Sequence, residues 1–147
     1  MDVILIAAVT QDGFIARHEN EVTSWTKDLW LFKQQTLGYP VIMGSNTWAT
    51  LKTELKNREV IIIHRNDEAK EVLRKISSKK CFIAGGGRTN TKFFNELTHI
   101  YLTPHPLLFG SGVRLFYNSK EELKLSQEKI VSVDEKSGIY QYQYKVK

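Results

Sequence analysis

The chain has 147 residues, 41% of them hydrophobic and 25% charged, with a formal net charge of +5. This length suits one domain that buries about two thirds of its unfolded surface, and the composition excludes a disordered or fibrous chain. The positive charge favours anionic partners, but Lys79-Lys80 is the only adjacent lysine pair, so no segment reads as a nucleic-acid-binding tail.

The apolar run at residues 3–9 is too short for a membrane span and lacks a basic leader, so it reads as a buried central strand of a cytoplasmic protein. It ends at the turn Thr10-Gln11-Asp12-Gly13. Thr26 is placed to cap a helix over 26–37 whose apolar positions are Leu29, Phe32 and Leu37. Residues 40–44 form a second buried strand, closed by Gly44-Ser45-Asn46-Thr47, where Ser45 or Asn46 can cap the next helix. Residues 60–63 repeat the strand pattern and end at His64-Arg65; a helix follows over 67–76. Residues 81–84 form another buried strand, running into Gly85-Gly86-Gly87-Arg88 and a helix over 89–97. A strand at 99–103 comes next, and residues 129–147 read as a hairpin turning at Glu135-Lys136-Ser137-Gly138. Tyr140, Tyr142 and Tyr144 share one face of its last strand, where packing on a half-buried sheet is expected rather than base stacking. Strands first alternate with helices and then follow one another. That order predicts one α/β domain over 1–147, a mostly parallel central sheet flanked by helices with an antiparallel hairpin at its carboxyl-terminal edge.

In such a sheet, ligands collect beyond the carboxyl ends of the strands. Three of those ends suit phosphate. At Gly44-Ser45-Asn46-Thr47 and Gly85-Gly86-Gly87-Arg88, glycine lets backbone N–H groups approach an anion, and a helix start follows. At His64-Arg65 a guanidinium can fork onto phosphate oxygens. Each glycine cluster alone reads first as a tight turn, and the three sites together shift the balance toward phosphate. The dinucleotide fingerprint G-x-G-x-x-G fails at Asn90. Asp28 either complements the helix start or looks into an apolar cleft beside Leu31 and Phe32, where burial raises its pKa and prepares it for proton transfer. His18, His64, His99 and His105 show no metal-ligand spacing, and the lone Cys81 is expected to pack rather than react. Gly110-Ser111-Gly112 lacks the pattern of a nucleophile elbow.

The block Asp28-Leu29-Trp30-Leu31-Phe32-Lys33-Gln34-Gln35-Thr36-Leu37, then Pro40-Val41-Ile42-Met43-Gly44 and Thr47-Trp48, resembles dihydrofolate reductase. Ile6-Ala7-Ala8, Arg58 before a β-run, Ile83-Ala84-Gly85-Gly86-Gly87-Arg88 and Tyr101-Leu102-Thr103 extend the resemblance over residues 4–103. It implies NADPH-dependent reduction of 7,8-dihydrofolate to tetrahydrofolate, with hydride reaching pterin C6 and a proton N5. Asp28 would be the active-site carboxylate, backed by Thr103. Ile6, Ala7, Ala8, Leu29, Phe32 and Leu51 would line the substrate, and Arg58 would meet its glutamate carboxylate. Ala8, Ile15 and Ala16 would lie beside the nicotinamide. Gly44, Ser45, Asn46, Thr47, Gly85, Gly86, Gly87, Arg88 and Thr89 would hold the pyrophosphate and ribose regions, with Arg65, next to His64, on the 2′-phosphate. No metal, nucleic acid or membrane partner is implied, and a monomer is expected.

The chain departs from that family's pattern in places. Only three steps separate Trp25 from Asp28, where the family usually has a longer segment with a proline; Ala84 replaces a larger apolar residue and Asn90 a tyrosine. Thr10-Gln11-Asp12-Gly13-Phe14-Ile15-Ala16 and Pro106-Leu107-Leu108-Phe109-Gly110-Ser111-Gly112 look more like the pyrimidine reductase domain of riboflavin synthesis. An alternative substrate is therefore a ribosylated aminopyrimidine phosphate. A basic nucleic-acid-binding module is the non-enzymatic alternative.

Overall fold

A computed structural model describes residues 1–118 and 121–147, without the side chain of Lys52. In chain order the strands are β1 (Asp2–Thr10), β2 (Phe14–Ala16), β3 (Val41–Gly44), β4 (Val60–Ile63), β5 (Lys80–Ile83), β6 (His99–His105), β7 (Val113–Arg114), β8 (Leu125–Asp134) and β9 (Ile139–Val146). The helices are α1 (Leu29–Thr36), α2 (Ser45–Leu51), α3 (Ala69–Arg74) and α4 (Gly87–Lys92).

Seven strands form one sheet in the order β4-β3-β5-β1-β6-β9-β8. β1 pairs in parallel with β5 and β6, and β3 with β4 and β5, while β9 runs antiparallel to both β6 and β8. The expected mostly parallel sheet with an antiparallel carboxyl-terminal edge is therefore what the chain forms, with β1 inside it.

Side-chain alternation explains why the inner strands read as continuous apolar runs. Val3 and Leu5 join Ile42, Cys81, Ile83 and Ile100 in one buried cluster. Ile4 and Ile6 point the other way with Phe82, and Val41 and Met43 pack with Leu55. Both faces are covered. Cys81 is fully buried, and burial pushes its thiol up to about 11, so it packs as expected. On β9 the buried positions are Ile139 and Gln141, while Tyr140, Tyr142 and Tyr144 are half-buried on the opposite face. Gln141 and Gln35 exchange two amide hydrogen bonds of 2.7 and 2.9 Å, tying α1 to the sheet.

Several expected boundaries move. α1 begins at Leu29 with Asp28 as its N-cap residue, and Thr26 is no cap, because its hydroxyl donates to the Thr23 carbonyl instead. The helix expected over 67–76 shortens to Ala69–Arg74, and the one expected over 89–97 starts at Gly87 and passes into a 3-10 turn at Phe94–Glu96. β2 and β7, which pair antiparallel in a separate small sheet, were not foreseen.

Two contacts pin β2 and β7 at the cleft described below. Gly112, at φ +145°, brings its backbone so near β2 that an added Cβ would stand 2.3 Å from the Ala16 carbonyl oxygen. Asp12 accepts hydrogen bonds from the Thr10 hydroxyl (2.6 Å), Gly110 N–H (2.7 Å) and Phe109 N–H (3.1 Å). The Thr10 hydroxyl and Gly110 amide lead in holding the carboxyl at about 2. A group with a depressed folded pKa stabilises the fold above its unfolded value and loses that effect as pH falls through the folded value. Asp12→Ala is expected to speed amide exchange at Phe109 and Gly110 on the order of tenfold at neutral pH. In the unsubstituted chain the same loosening should appear only as pH falls from about 4 toward 2; equal protection in the two proteins at neutral pH would refute the contact.

Candidate active site

Because β1, β3, β4 and β5 are parallel, their carboxyl ends open on one side of the sheet, where a cleft of about 470 Å³ lies. That volume is in the usual range for a small-molecule site. β1 contributes Ile6, Ala7 and Ala8; β2, Ile15 and Ala16; the start of α1, Asp28, Leu29 and Phe32; and the end of α2, Leu51. Gly44 to Thr47 lie where β3 enters α2, His64 and Arg65 at the end of β4, and Gly85 to Thr89 where β5 enters α4.

The sequence-predicted residues thus converge, with two exceptions. Thr103 sits behind the cleft wall, fully buried beside Asp28. Arg58 is not brought into the cleft. Its guanidinium donates to the Thr36 hydroxyl (3.0 Å), to the Lys56 carbonyl (2.8 Å) and to the Lys33 carbonyl, closing the end of α1. An arginine there satisfies carbonyls that the helix leaves unpaired.

Asp28 is the buried carboxyl of the cleft, only 9% exposed. Burial pushes its pKa above the ordinary carboxylate range, and the Asp28 backbone N–H pulls it partly back. No side-chain cap bond ties it to α1. The carboxyl thus faces the cleft, desolvated and without a side-chain bond to the helix start.

The opposite end is built for close approach. An added Cβ on Gly87 would stand 2.5 Å from the Arg114 carbonyl oxygen, and one on Gly44 3.0 Å from the Thr89 hydroxyl. First-turn N–H groups of α2 and α4 have no partner within their own helices. Two buried polar atoms also lack a partner: Thr103 Oγ1, and Oδ1 of Asn90, which lines the cleft. The Asn90 amide is oriented by its Nδ2–H donating to the Leu115 carbonyl at 3.1 Å.

Sequence reasoning missed several lining residues. Lys92, on α4, donates from Nζ to the carbonyls of His64 (2.9 Å), Arg65 (2.9 Å) and Asp67 (2.6 Å), which fixes the loop that carries Arg65. Glu21 accepts from the Arg17 guanidinium at 2.7 Å and from the Trp25 indole at 3.2 Å, folding residues 17–25 over the cleft. Tyr117 borders the cleft beside Arg88. A lone lysine, glutamate or tyrosine has no local signature; only the tertiary contacts give these their places. Among the described residues, no three His, Cys, Asp or Glu side chains cluster to hold a metal, and no helix is long and apolar enough to cross a membrane.

A family model of dihydrofolate reductase matches residues 2–146. The chain belongs to the dihydrofolate reductase family. Within the family, dihydrofolate reductase type 3 of Salmonella typhimurium is 28% identical over 115 residues, 70% of this chain and 71% of that one. The dihydrofolate reductase of Buchnera aphidicola subsp. Baizongia pistaciae is 24% identical over 115 residues, 70% of each chain. Among solved structures, dihydrofolate reductase from Enterococcus faecalis, complexed with NADP(H) and RAB-propyl, has a TM-score of 0.79 at 20% identity, covering 99% of this chain and 96% of that one. A protein assigned to riboflavin biosynthesis from Shewanella sp. PV-4 has a TM-score of 0.72 at 17% identity, covering 100% and 99%. Both share the fold. Membership of the dihydrofolate reductase family makes the chain an oxidoreductase.

Proposed function

We propose that this chain reduces 7,8-dihydrofolate to 5,6,7,8-tetrahydrofolate with NADPH, hydride going to pterin C6 and a proton to N5. The observation that carries the reading is the buried carboxyl of Asp28, its acidity weakened by burial, at the apolar end of a cleft whose other end is a glycine-rich cradle.

The residues fit such a cofactor. Gly44 and Gly87 let the strand ends and α4 pack too closely for any side chain, the backbone of residues 44–47 and 85–89 lines the cleft and suits the pyrophosphate and ribose regions, and Asn90 Oδ1 is a buried acceptor without a partner. Ala8, Ile15 and Ala16 would form the apolar wall for the nicotinamide, and Arg65 would meet the 2′-phosphate. NADPH, when bound, supplies the hydride.

Asp28 accepts hydrogen bonds from the pterin amino group and ring N3–H, which orients the ring and helps a proton reach N5 through water. Thr103 backs that contact. Ile6, Ala7, Leu29, Phe32 and Leu51 hold the ring and its aryl extension and exclude water, so that two planar reactants meet in one geometry. NADPH, dihydrofolate and one proton thus give NADP⁺ and tetrahydrofolate.

The test follows the loss of reduced-nicotinamide absorbance with NADPH and dihydrofolate, beside controls without substrate. Turnover that requires both supports the reading. Tight NADPH binding without turnover would overturn the folate substrate in favour of a ribosylated aminopyrimidine phosphate, and no NADPH binding would overturn the reductase reading. Cofactor choice has its own prediction. Arg65→Ala is expected to weaken NADPH binding about 10- to 100-fold, the weight of a lost charge-assisted contact, and to leave NADH binding nearly unchanged. Equal losses for both cofactors would remove Arg65 from the 2′-phosphate.

A further inference from the structure

His105 is a buried imidazole, 1% exposed, that the reaction scheme above leaves without a role. Its Nε2 lies 2.9 Å from the backbone N–H of Lys27, and its Nδ1 lies 2.8 Å from the carbonyl oxygen of Thr103. The two partners fix the proton. An N–H can only donate, so Nε2 must accept; a carbonyl can only accept, so Nδ1 must carry the hydrogen. The ring is thereby a neutral bridge between the residue just before Asp28 and the residue whose hydroxyl stands behind it.

The bridge has a rigid anchor and a short reach. The His105 carbonyl accepts from Leu107 N–H at 2.8 Å and from the Gln11 side-chain amide at 3.2 Å, and β6 holds the residue in register opposite Thr10 of β1. Trp25 packs edge-on against the ring at 5.3 Å, with Phe109 on Trp25 at 5.2 Å. The segment from Trp25 to Lys27 is therefore stapled at both ends to one imidazole. Asp28 lacks a side-chain cap bond of its own to fix it at the helix start.

We propose that His105 is a positioning residue: through Lys27 N–H and the Thr103 carbonyl it sets where the Asp28 carboxyl stands for proton transfer to substrate. The inference rests on the reductase reading above. The Lys27 bond carries most of the effect, because it holds the residue immediately before Asp28, whereas Thr103 is already held within β6.

Three substitutions separate the two bonds. His105→Gln presents an acceptor near the Nε2 position and keeps the Lys27 bond; His105→Asn presents a donor near the Nδ1 position and keeps the Thr103 bond; His105→Phe keeps the packing on Trp25 and neither bond. The expected result for Phe and Asn is a kcat lower by about 10- to 100-fold, the scale of a slightly misplaced reacting group. Gln should stay within about fivefold of the unsubstituted chain on that scale. NADPH affinity, read by fluorescence, should stay within about twofold in all three, since His105 does not line the cleft. Nitrogen NMR of the unsubstituted protein should show a protonated Nδ1 and an unprotonated Nε2. If Gln is as slow as Phe, if Phe is as fast as the parent, or if NADPH affinity falls in step with kcat, His105 is merely structural and the proposal fails. Asp28→Asn assayed alongside separates the two readings: collapse there with an unaffected Phe variant overturns only the role of His105, whereas no turnover of dihydrofolate by the parent overturns both.

Discussion

Asp28→Asn is expected to lower kcat by about two to four orders of magnitude, the usual weight of positioned acid–base catalysis, while NADPH affinity stays within about twofold. Asparagine matches the carboxyl in size but presents an N–H where an acceptor is needed, and it cannot hold a proton for transfer. The loss should fall on kcat and on dihydrofolate binding, because Asp28 comes from the start of α1 and is no part of the cradle at residues 44–47 and 85–89. Unchanged turnover at neutral pH would remove Asp28 from the proton path.

The same substitution has a second expected effect, of opposite sign. Burial raises the Asp28 pKa in the folded chain. A group whose folded pKa is raised stabilises the fold below its unfolded pKa, and that contribution is lost as pH rises through the folded value. Above the folded value the buried carboxylate therefore costs stability, and a neutral amide avoids the cost. Thermal melts of the ligand-free protein at pH 7 should show Asp28→Asn melting higher by about 2–5 °C, on the order of 1 kcal/mol for a chain of this size. The difference should shrink as pH falls through the raised folded value and be gone once pH is below the ordinary carboxylate range. A variant that is both slower and more stable fits a residue kept for chemistry; one that is slower and less stable would point to a structural carboxylate.

How far the sequence carried this reading depends on where each residue's environment comes from. β1, β3 and β5 were legible because a strand buried on both faces is apolar throughout, a local signal, and the half-buried edge strand β4 because its four residues are β-branched. The residues lining most of the cleft were legible because they sit at the ends of those strands. Helix starts were less so: Thr26 has the right chemistry for a cap, but the segment before Asp28 is shaped by distant partners, Glu21 on Trp25 and His105 on Lys27. Strands of three and two residues, β2 and β7, are too short to show any period. Arg58 carried a motif, yet its donors turn to α1. Lys92, His105 and Asn90 take their roles from residues roughly 25 to 80 positions away, and no spacing rule reaches so far.

Gly87→Ala tests the cradle with the least chemical change. Gly87 opens α4 on the cleft, and its hydrogen faces β7: a methyl group there would lie 2.5 Å from the Arg114 carbonyl oxygen and 3.0 Å from the Tyr117 ring. The nearest atom belongs to the backbone, so no rotamer change relieves the clash, and either α4 or β7 must shift. Overpacking of this kind costs about 1–3 kcal/mol, or roughly 3–10 °C in Tm for a chain this long. The shift cannot stay local, because Arg114 pairs with Phe14 of β2, the strand that brings Ile15 and Ala16 to the cleft. NADPH affinity is therefore expected to fall at least about tenfold, the scale of a displaced site, with the pterin end disturbed less. Gly44→Ala offers the graded comparison, since its methyl group would meet a side-chain hydroxyl, Thr89 Oγ1, at 3.0 Å. A hydroxyl can give way where a carbonyl in a strand pair cannot, so its effect should be smaller. If Gly87→Ala melts low but binds NADPH normally, the glycine serves packing alone and the cradle must be sought elsewhere along residues 44–47.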